Sequence, residues 1–330
     1  MMLINKVEQV KSSGGIKTAT NDVPDDLYLV CASYEPRSVA ATESLSLDYK
    51  ARKGIIYINK EFYSGASSES IRSNIIRLQT ILEQRCDSVE LAIGSWLDVK
   101  SQLEVLKSTL LPAKPEQSKE WTSTIDITSF NREVLLTSVA LLRVGVIRSR
   151  IKVIYVSPHS HGQWLSRGFR GIRNVMGLSG IQSPSKQSLL VVLSGFEPDR
   201  TIRIIEEHEP RLVLLGLGDP PTNQEFLLRN REEMKLVLAR QDVKEFEFPT
   251  ASIQECLDVL QKLLKNYLQD YNIILAPMST KLSTIAAFLV AECHPEVQIT
   301  YALPGEYNTK DYSTGADNVY EDWLPELITR

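Results

Sequence analysis

The sequence predicts an α/β protein made of two tandem, doubly wound parallel-sheet domains related by internal duplication. Three observations carry this reading. From Leu27 onward, short β-branched runs alternate with stretches of helical periodicity, the pattern of parallel strands covered by helices on both faces. A strand-ending motif occurs twice, as Ala32-Ser33-Tyr34-Glu35-Pro36-Arg37-Ser38 and as Ser194-Gly195-Phe196-Glu197-Pro198-Asp199-Arg200-Thr201, with the glutamates close to half of the 330 residues apart. Two further matches keep the same order: residues 125–132 (IDITSFNR) answer 274–281 (ILAPMSTK), and 151–158 (IKVIYVSP) answer 297–304 (VQITYALP). Behind those prolines, Leu165-Ser166-Arg167-Gly168 parallels Tyr312-Ser313-Thr314-Gly315. Collinear repeats of this kind bear on the whole fold assignment. Parallel strands need right-handed helical crossovers, so each copy is expected to be Rossmann-like.

Residues 1–25 hold one short apolar pattern (Leu3, Ile4, Val7, Val10) and then Gly, Ser and Pro punctuation, which reads as a loose N-terminal arm or a small docking helix. Domain 1 is expected over 26–172, with strands at 27–32, 54–58, 88–93, 124–129 and 151–157. Between them Ile71, Ile75, Leu78 and Leu82 recur at helical spacing, as do Leu103, Leu106 and Leu110. The run from Val134 is nearly all apolar, so its helix should be buried on most of its surface. Gly, Ser and Pro then mark a linker at 173–187. Domain 2 is expected over 188–330, with strands at 188–194, 211–217, 244–248, 271–276 and 297–302. Ser252 and Glu255 form a capping box before a helix that places Ile253, Leu257, Leu260, Leu264 and Tyr267 on one face.

Composition narrows the function classes. Hydrophobic content of 43% and charged content of 24% are those of a globular protein. With 37 basic and 41 acidic residues the formal net charge is −4, so no global field favours a nucleic-acid backbone or an anionic membrane. Direct nucleic-acid binding is not indicated. The four cysteines are far apart and form no C-x-x-C pair, which points to reduced thiols and a cytoplasmic address. The first 24 residues lack a signal-peptide core, and no run of about 18 or more apolar residues would span a membrane.

In an open parallel sheet, ligands bind at the carboxyl ends of strands where the strand order reverses. The repeated motifs fall at such ends, first strand into first helix and fourth strand into its helix. Helix N-termini there offer free N–H groups and partial positive charge, which suits an anionic or nucleotide ligand. Ser129, Asn131 and Arg132 in the first copy, and Ser279, Thr280 and Lys281 in the second, add donors and a cation. Arg37 and Arg200 approach from the neighbouring strand end, beside Ser33 and Ser194. Glu35 and Glu197 suit a ribose hydroxyl, a base amine or the nearby arginine better than a phosphate. Tyr307 and Tyr312 read as part of a loop closing over the second site, where such rings either stack on a base or simply pack the loop. A plain structural reading stands beside this one: Ser-x-Glu-Pro is also a good helix start, with Pro in the first turn and Ser or Thr at the cap. His159-Ser160-His161 reads as a polar loop, and Gly216-Leu217-Gly218-Asp219 lacks the third glycine of a dinucleotide loop. No metal and no cofactor are expected.

These motifs resemble the CRISPR-associated Rossmann-fold (CARF) sensors and their fused double form, the SAVED domains of cyclic-nucleotide defence systems. The resemblance rests on residues 193–198 (LSGFEP), a strand ending in a small-residue turn, and on Met278-Ser279-Thr280-Lys281, a strand opening into a Thr-Lys helix start. It covers nearly the whole chain. Two departures accompany it: the family's glycines before Thr-Lys are replaced by residues 277–279 (PMS), and the first copy reads Ser129-Phe130-Asn131-Arg132. The resemblance implies a nucleotide-binding sensor or regulatory subunit of bacterial antiviral defence, with a cyclic oligonucleotide held by two half-sites. One half-site is Ser194, Glu197, Arg200, Ser279, Thr280 and Lys281; the other is Ser33, Glu35, Arg37, Ser129, Asn131 and Arg132. The family usually carries an attached effector, whereas about 25 residues here lie outside the two copies, so output is expected through a separate partner protein. The alternatives are a two-domain enzyme with an inter-domain site, such as a nucleotide hydrolase or glycosyltransferase, and a structural scaffold subunit. Binding without catalysis is the first expectation.

Overall fold

The computed structural model describes residues 24–63, 68–113, 121–143, 149–220 and 223–325. In chain order its elements are β1 (Asp25–Ala32), α1 (Arg37–Ser44), β2 (Ala51–Asn59), α2 (Lys60–Tyr63), α3 (Ser68–Leu82), β3 (Cys86–Gly94), α4 (Val99–Leu110), β4 (Trp121–Asp126), α5 (Arg132–Arg143), β5 (Ser149–Val156), β6 (Ser160–His161) and β7 (Ser166–Asn174). There follow β8 (Gln187–Leu193), α6 (Pro198–His208), β9 (Leu212–Asp219), α7 (Gln224–Glu233), α8 (Lys235–Leu238), β10 (Val243–Pro249), α9 (Ile253–Leu264), β11 (Tyr271–Pro277), α10 (Lys281–Cys293), β12 (Gln298–Tyr307), β13 (Ser313–Thr314) and β14 (Val319–Trp323). Every strand expected from the sequence is present, as β1 to β5 and β8 to β12. The chain divides into two compact units, Met1–His161 with Thr309–Arg330, and Gly162–Asn308.

In the first unit the strand order is β14-β5-β4-β1-β2-β3. Strands β1 to β5 are mutually parallel, and β14 runs antiparallel on β5. The order reverses between β1 and β4. Burial explains the elements: Ile71, Ile75, Leu78 and Leu82 of α3 face the sheet, and α5 buries Val134, Leu135, Leu136, Val139 and Leu142. The largest side chains of this core, Trp121, Tyr28 and Tyr57, are fully enclosed.

The second unit repeats the plan with the order β10-β9-β8-β11-β12-β7, reversing between β8 and β11. Its parallel strands are β8 to β12, and β7 lies antiparallel on β12. Leu190, Val192, Val213, Leu215, Ile274 and Ala276 pack with Ile204 and Ile205 of α6 on one side of this sheet. The Ser252 hydroxyl accepts from the Glu255 amide at 3.2 Å, so the expected cap forms. Its helix α9 buries Ile253, Leu257, Leu260 and Leu264, whereas Tyr267 falls in the turn beyond it.

The two mostly parallel, helix-flanked sheets are those expected, and each carries one antiparallel edge strand in addition. The domain limits differ: residues 166–174, expected in domain 1 and its linker, are β7 of the second unit, and 309–325, expected in domain 2, pack in the first. The reason is physical. Edge strands need no alternating apolar pattern, and β7 carries Gly168, Gly171 and three arginines instead. The expected arm falls outside the described residues except for its end, where Asp25 already pairs with Ala51 in β1.

Candidate functional site

The repeated motifs meet at the carboxyl ends of the two central strands in each unit, at the point of strand-order reversal. In the first unit the chain leaves β1 through Ser33, Tyr34 and Glu35 and enters α1 at Arg37. Glu35 and Arg37 form an ion pair at 2.6 Å in which both side chains are buried. Arg37 also donates through Nη1 to the Val156 carbonyl at the end of β5 (2.6 Å) and through Nε to the Ser313 hydroxyl (3.1 Å). That hydroxyl donates to Glu35 at 2.5 Å. Burial is the largest single influence and disfavours the charge of Arg37, but the Glu35 carboxylate together with Tyr155 and Tyr312 holds the guanidinium above its ordinary pKa.

The second unit builds the same device. Glu197 and Arg200 pair at 2.8 Å, equally buried. Arg200 donates to the Ala302 carbonyl on β12 and approaches the Ser166 hydroxyl at 3.4 Å, while Ser166 donates to Glu197. The spacing differs by one residue because Asp199 stands between Pro198 and Arg200, whereas Arg37 follows Pro36 directly. Again burial opposes the charge and the carboxylate raises the arginine pKa.

A buried asparagine holds each turn from the next helix. Asn74 of α3 donates to the carbonyls of Ser33 (2.9 Å) and Glu35 (3.2 Å). Asn230 of α7 donates to the Gly195 carbonyl at 2.5 Å, and its Oδ1 lies 3.1 Å from the Ser194 hydroxyl and accepts from the Gly218 amide at 3.3 Å. The sequence reading missed both residues. Their signal is a polar residue on an apolar helix face, as in Ile71, Asn74, Ile75, Leu78.

The second motif of each unit is tied to the end of the strand that leads into the first. Ser129 donates to the Cys31 carbonyl at 2.6 Å, and Asn131 accepts from the Glu133 amide at 2.9 Å, capping α5 with Arg132 as its first residue. In the second unit the Met278 amide donates to the Leu193 carbonyl at 2.9 Å. Thr280 caps α10 by accepting from the Ser283 amide (3.2 Å) and donates to the Thr250 carbonyl (3.2 Å). Lys281 is the first residue of α10, and Ser279, Thr280 and Lys281 are all half-buried. The turns approach closely: a Cβ on Gly195 would lie 2.5 Å from the Met278 carbonyl oxygen, and one on Gly218 would lie 2.6 Å from the Thr250 methyl. Gly216 similarly faces Phe246 at 2.7 Å. The glycines after β9 therefore serve packing, in keeping with their weak match to a dinucleotide loop.

Aromatic side chains line the same strand ends. Tyr34 meets Phe62 at 5.3 Å and Tyr312 at 6.2 Å between ring centroids, and Phe62 stacks on Trp96. In the second unit Arg229 lies 4.5 Å over Phe196, and the Tyr307 and Tyr301 hydroxyls are 3.1 Å apart. This corrects one expectation. Tyr307 belongs to the second unit, but Tyr312 lies against Tyr34 in the first, because the chain passes between units at 308/309.

Asp126, at the end of β4, is a further feature of the first unit. One carboxylate oxygen accepts from the Thr128 amide at 3.0 Å, and the other has no hydrogen-bond partner among the described residues. Burial pushes its pKa up to about 7, against the hydrogen bonds from Thr128 and the charge of Arg37. Among the described residues, no group of three His, Cys, Asp or Glu side chains is placed to hold a metal ion, and no helix is long and apolar enough to cross a membrane.

No family model matches the chain, and no curated protein matches it. Among solved structures it is similar to a Type III CRISPR defence DNA nuclease activated by cyclic oligoadenylate, at 9% identity and a TM-score of 0.46. The match covers 81% of this chain and 64% of the nuclease chain, so this chain spans less than two thirds of that protein's length. A likeness this distant assigns chemistry to no residue here.

Proposed function

We propose that this chain is a nucleotide-binding sensor or regulatory subunit of internally duplicated origin. One observation carries the reading. In each unit the end of the first strand is hydrogen-bonded to the turn that opens the helix after the fourth, at the reversal of strand order, with a basic residue heading that helix. That place combines helix N-termini, hydroxyls and a cation, which favours an anionic ligand of the phosphate or nucleotide class.

Roles then divide by position. Ser279, Thr280 and Lys281, with Ser129, Asn131 and Arg132 in the other unit, are the proposed ligand-facing groups. Glu35 with Arg37 and Glu197 with Arg200 hold the frame, because their polar groups already serve each other, a strand carbonyl and a serine. Ser33 and Ser194 shape the turns, and Tyr307 and Tyr312 supply ring faces beside them. The enzyme alternative would draw its acid or base from Glu35, Glu197 or the His159/His161 pair, and both glutamates are buried and paired. The cyclic-oligonucleotide ligand, the defence setting and the separate effector partner rest on the motif resemblance given above.

A thermal-shift screen against mono-, di- and cyclic oligonucleotides tests the reading, with Lys281→Ala as the comparison. A ligand at about 100-fold excess over its Kd stabilises by about 2.7 kcal/mol. The expected result is a rise in Tm that the variant loses; no shift with any nucleotide would support the scaffold alternative instead.

A further inference from the structure

We infer that the two halves of the chain are each other's binding partners, and that each strand-end site is completed by the tail of the other half. This does not depend on which ligand the sites take. The halves meet at the exposed turn Pro184-Ser185. The tail of the first half supplies β7, which pairs with β12 from Thr300↔Asn174 to Tyr307↔Ser166. The tail of the second half supplies β14, which pairs with β5 from Val319↔Val156 to Trp323↔Lys152.

The exchange reaches into the sites. Ser166, from the first half, is the hydroxyl between Glu197 and Arg200, and the carbonyls of Gly162 and Gln163 accept from Arg229 at 2.9 Å. Ser313, from the second half, fills the same role between Glu35 and Arg37, and Tyr312 stands against Tyr34. Without the other half, β5 and β12 would each expose a bare edge, and each buried ion pair would lose a hydrogen-bonding partner. The partner that fits each edge is therefore the tail of the opposite copy. Two such attachments act together, so the second forms at high effective concentration once the first is made.

The test cuts the intact, folded protein at a protease site inserted between Pro184 and Ser185. The fragments are expected to elute together at low-nanomolar protein, and the amides of 152–156 and 300–307 to exchange with solvent as slowly as in the uncut chain. Fragments that elute apart would overturn the inference. So would fragments that stay together while those amides lose protection, because another surface would then be holding them. If the insertion itself disturbs folding, residues 1–184 and 185–330 produced together as separate chains give the same comparison.

Discussion

Arg200 shows what a single buried charge can hold. Its guanidinium joins the start of α6, the middle of β12 and Ser166, and it keeps its charge because Glu197 sits within 2.8 Å. Removing one member of such a pair strands the other, a loss of about 3–5 kcal/mol. Arg200→Met should therefore lower the stability of the second unit by that order in chemical denaturation, and Glu197→Leu in the same chain should restore part of it. Asp126 has the opposite character. Its folded-state pKa of about 7 stands above the ordinary value of 3.8, so the folded state binds its proton more tightly than the unfolded chain does. Its stabilising contribution is complete below pH 3.8 and is lost as pH rises to about 7. Asp126→Asn should flatten that part of the stability profile and raise stability at pH 8 by a few kcal/mol. Unfolding curves at pH 5 and pH 8 check this; an unchanged slope would contradict it.

Among the elements, the turn from β8 into α6 is defined by what it cannot accommodate. A Cβ on Gly195 would stand 2.5 Å from a backbone oxygen of the facing turn, and backbone cannot swing aside as a side chain can. Gly195→Ala should cost about 1–3 kcal/mol and weaken any ligand bound at α10, whereas the matching position in the first unit accepts Ser33. Thermal unfolding of the single variant measures the cost. The parallel strands and their helices were legible in the sequence because buried runs such as Leu189 to Leu193 and stripes such as Ile71 to Leu82 carry their own periodicity. The edge strands β7 and β14 were not, since a surface strand is selected by hydrogen bonding to its neighbour, and Arg167, Arg170 or Glu321 do not announce that. The roles of Ser166 and Ser313 were hidden for the same reason: their meaning depends on which sheet the tail joins. The repeat itself did pair them in the sequence.

For the whole molecule, the same strand order, the same buried ion pair and the same helix-start motif occur in both units, with different side chains facing outward. The first unit places Arg132 at the head of α5, behind a buried Phe130; the second places Lys281 at the head of α10, behind Ser279 and Thr280. These helix starts are the proposed site for a nucleotide-type anion. Isothermal titration of the intact protein with the nucleotide that gives the largest thermal shift, repeated with Lys281→Ala and Arg132→Ala, tests this. Saturable binding is expected, weakened at least tenfold, about 1.4 kcal/mol, in one or both variants while their unfolding curves stay close to the parent's. Binding of equal strength in parent and both variants, or no binding by the parent, would contradict it.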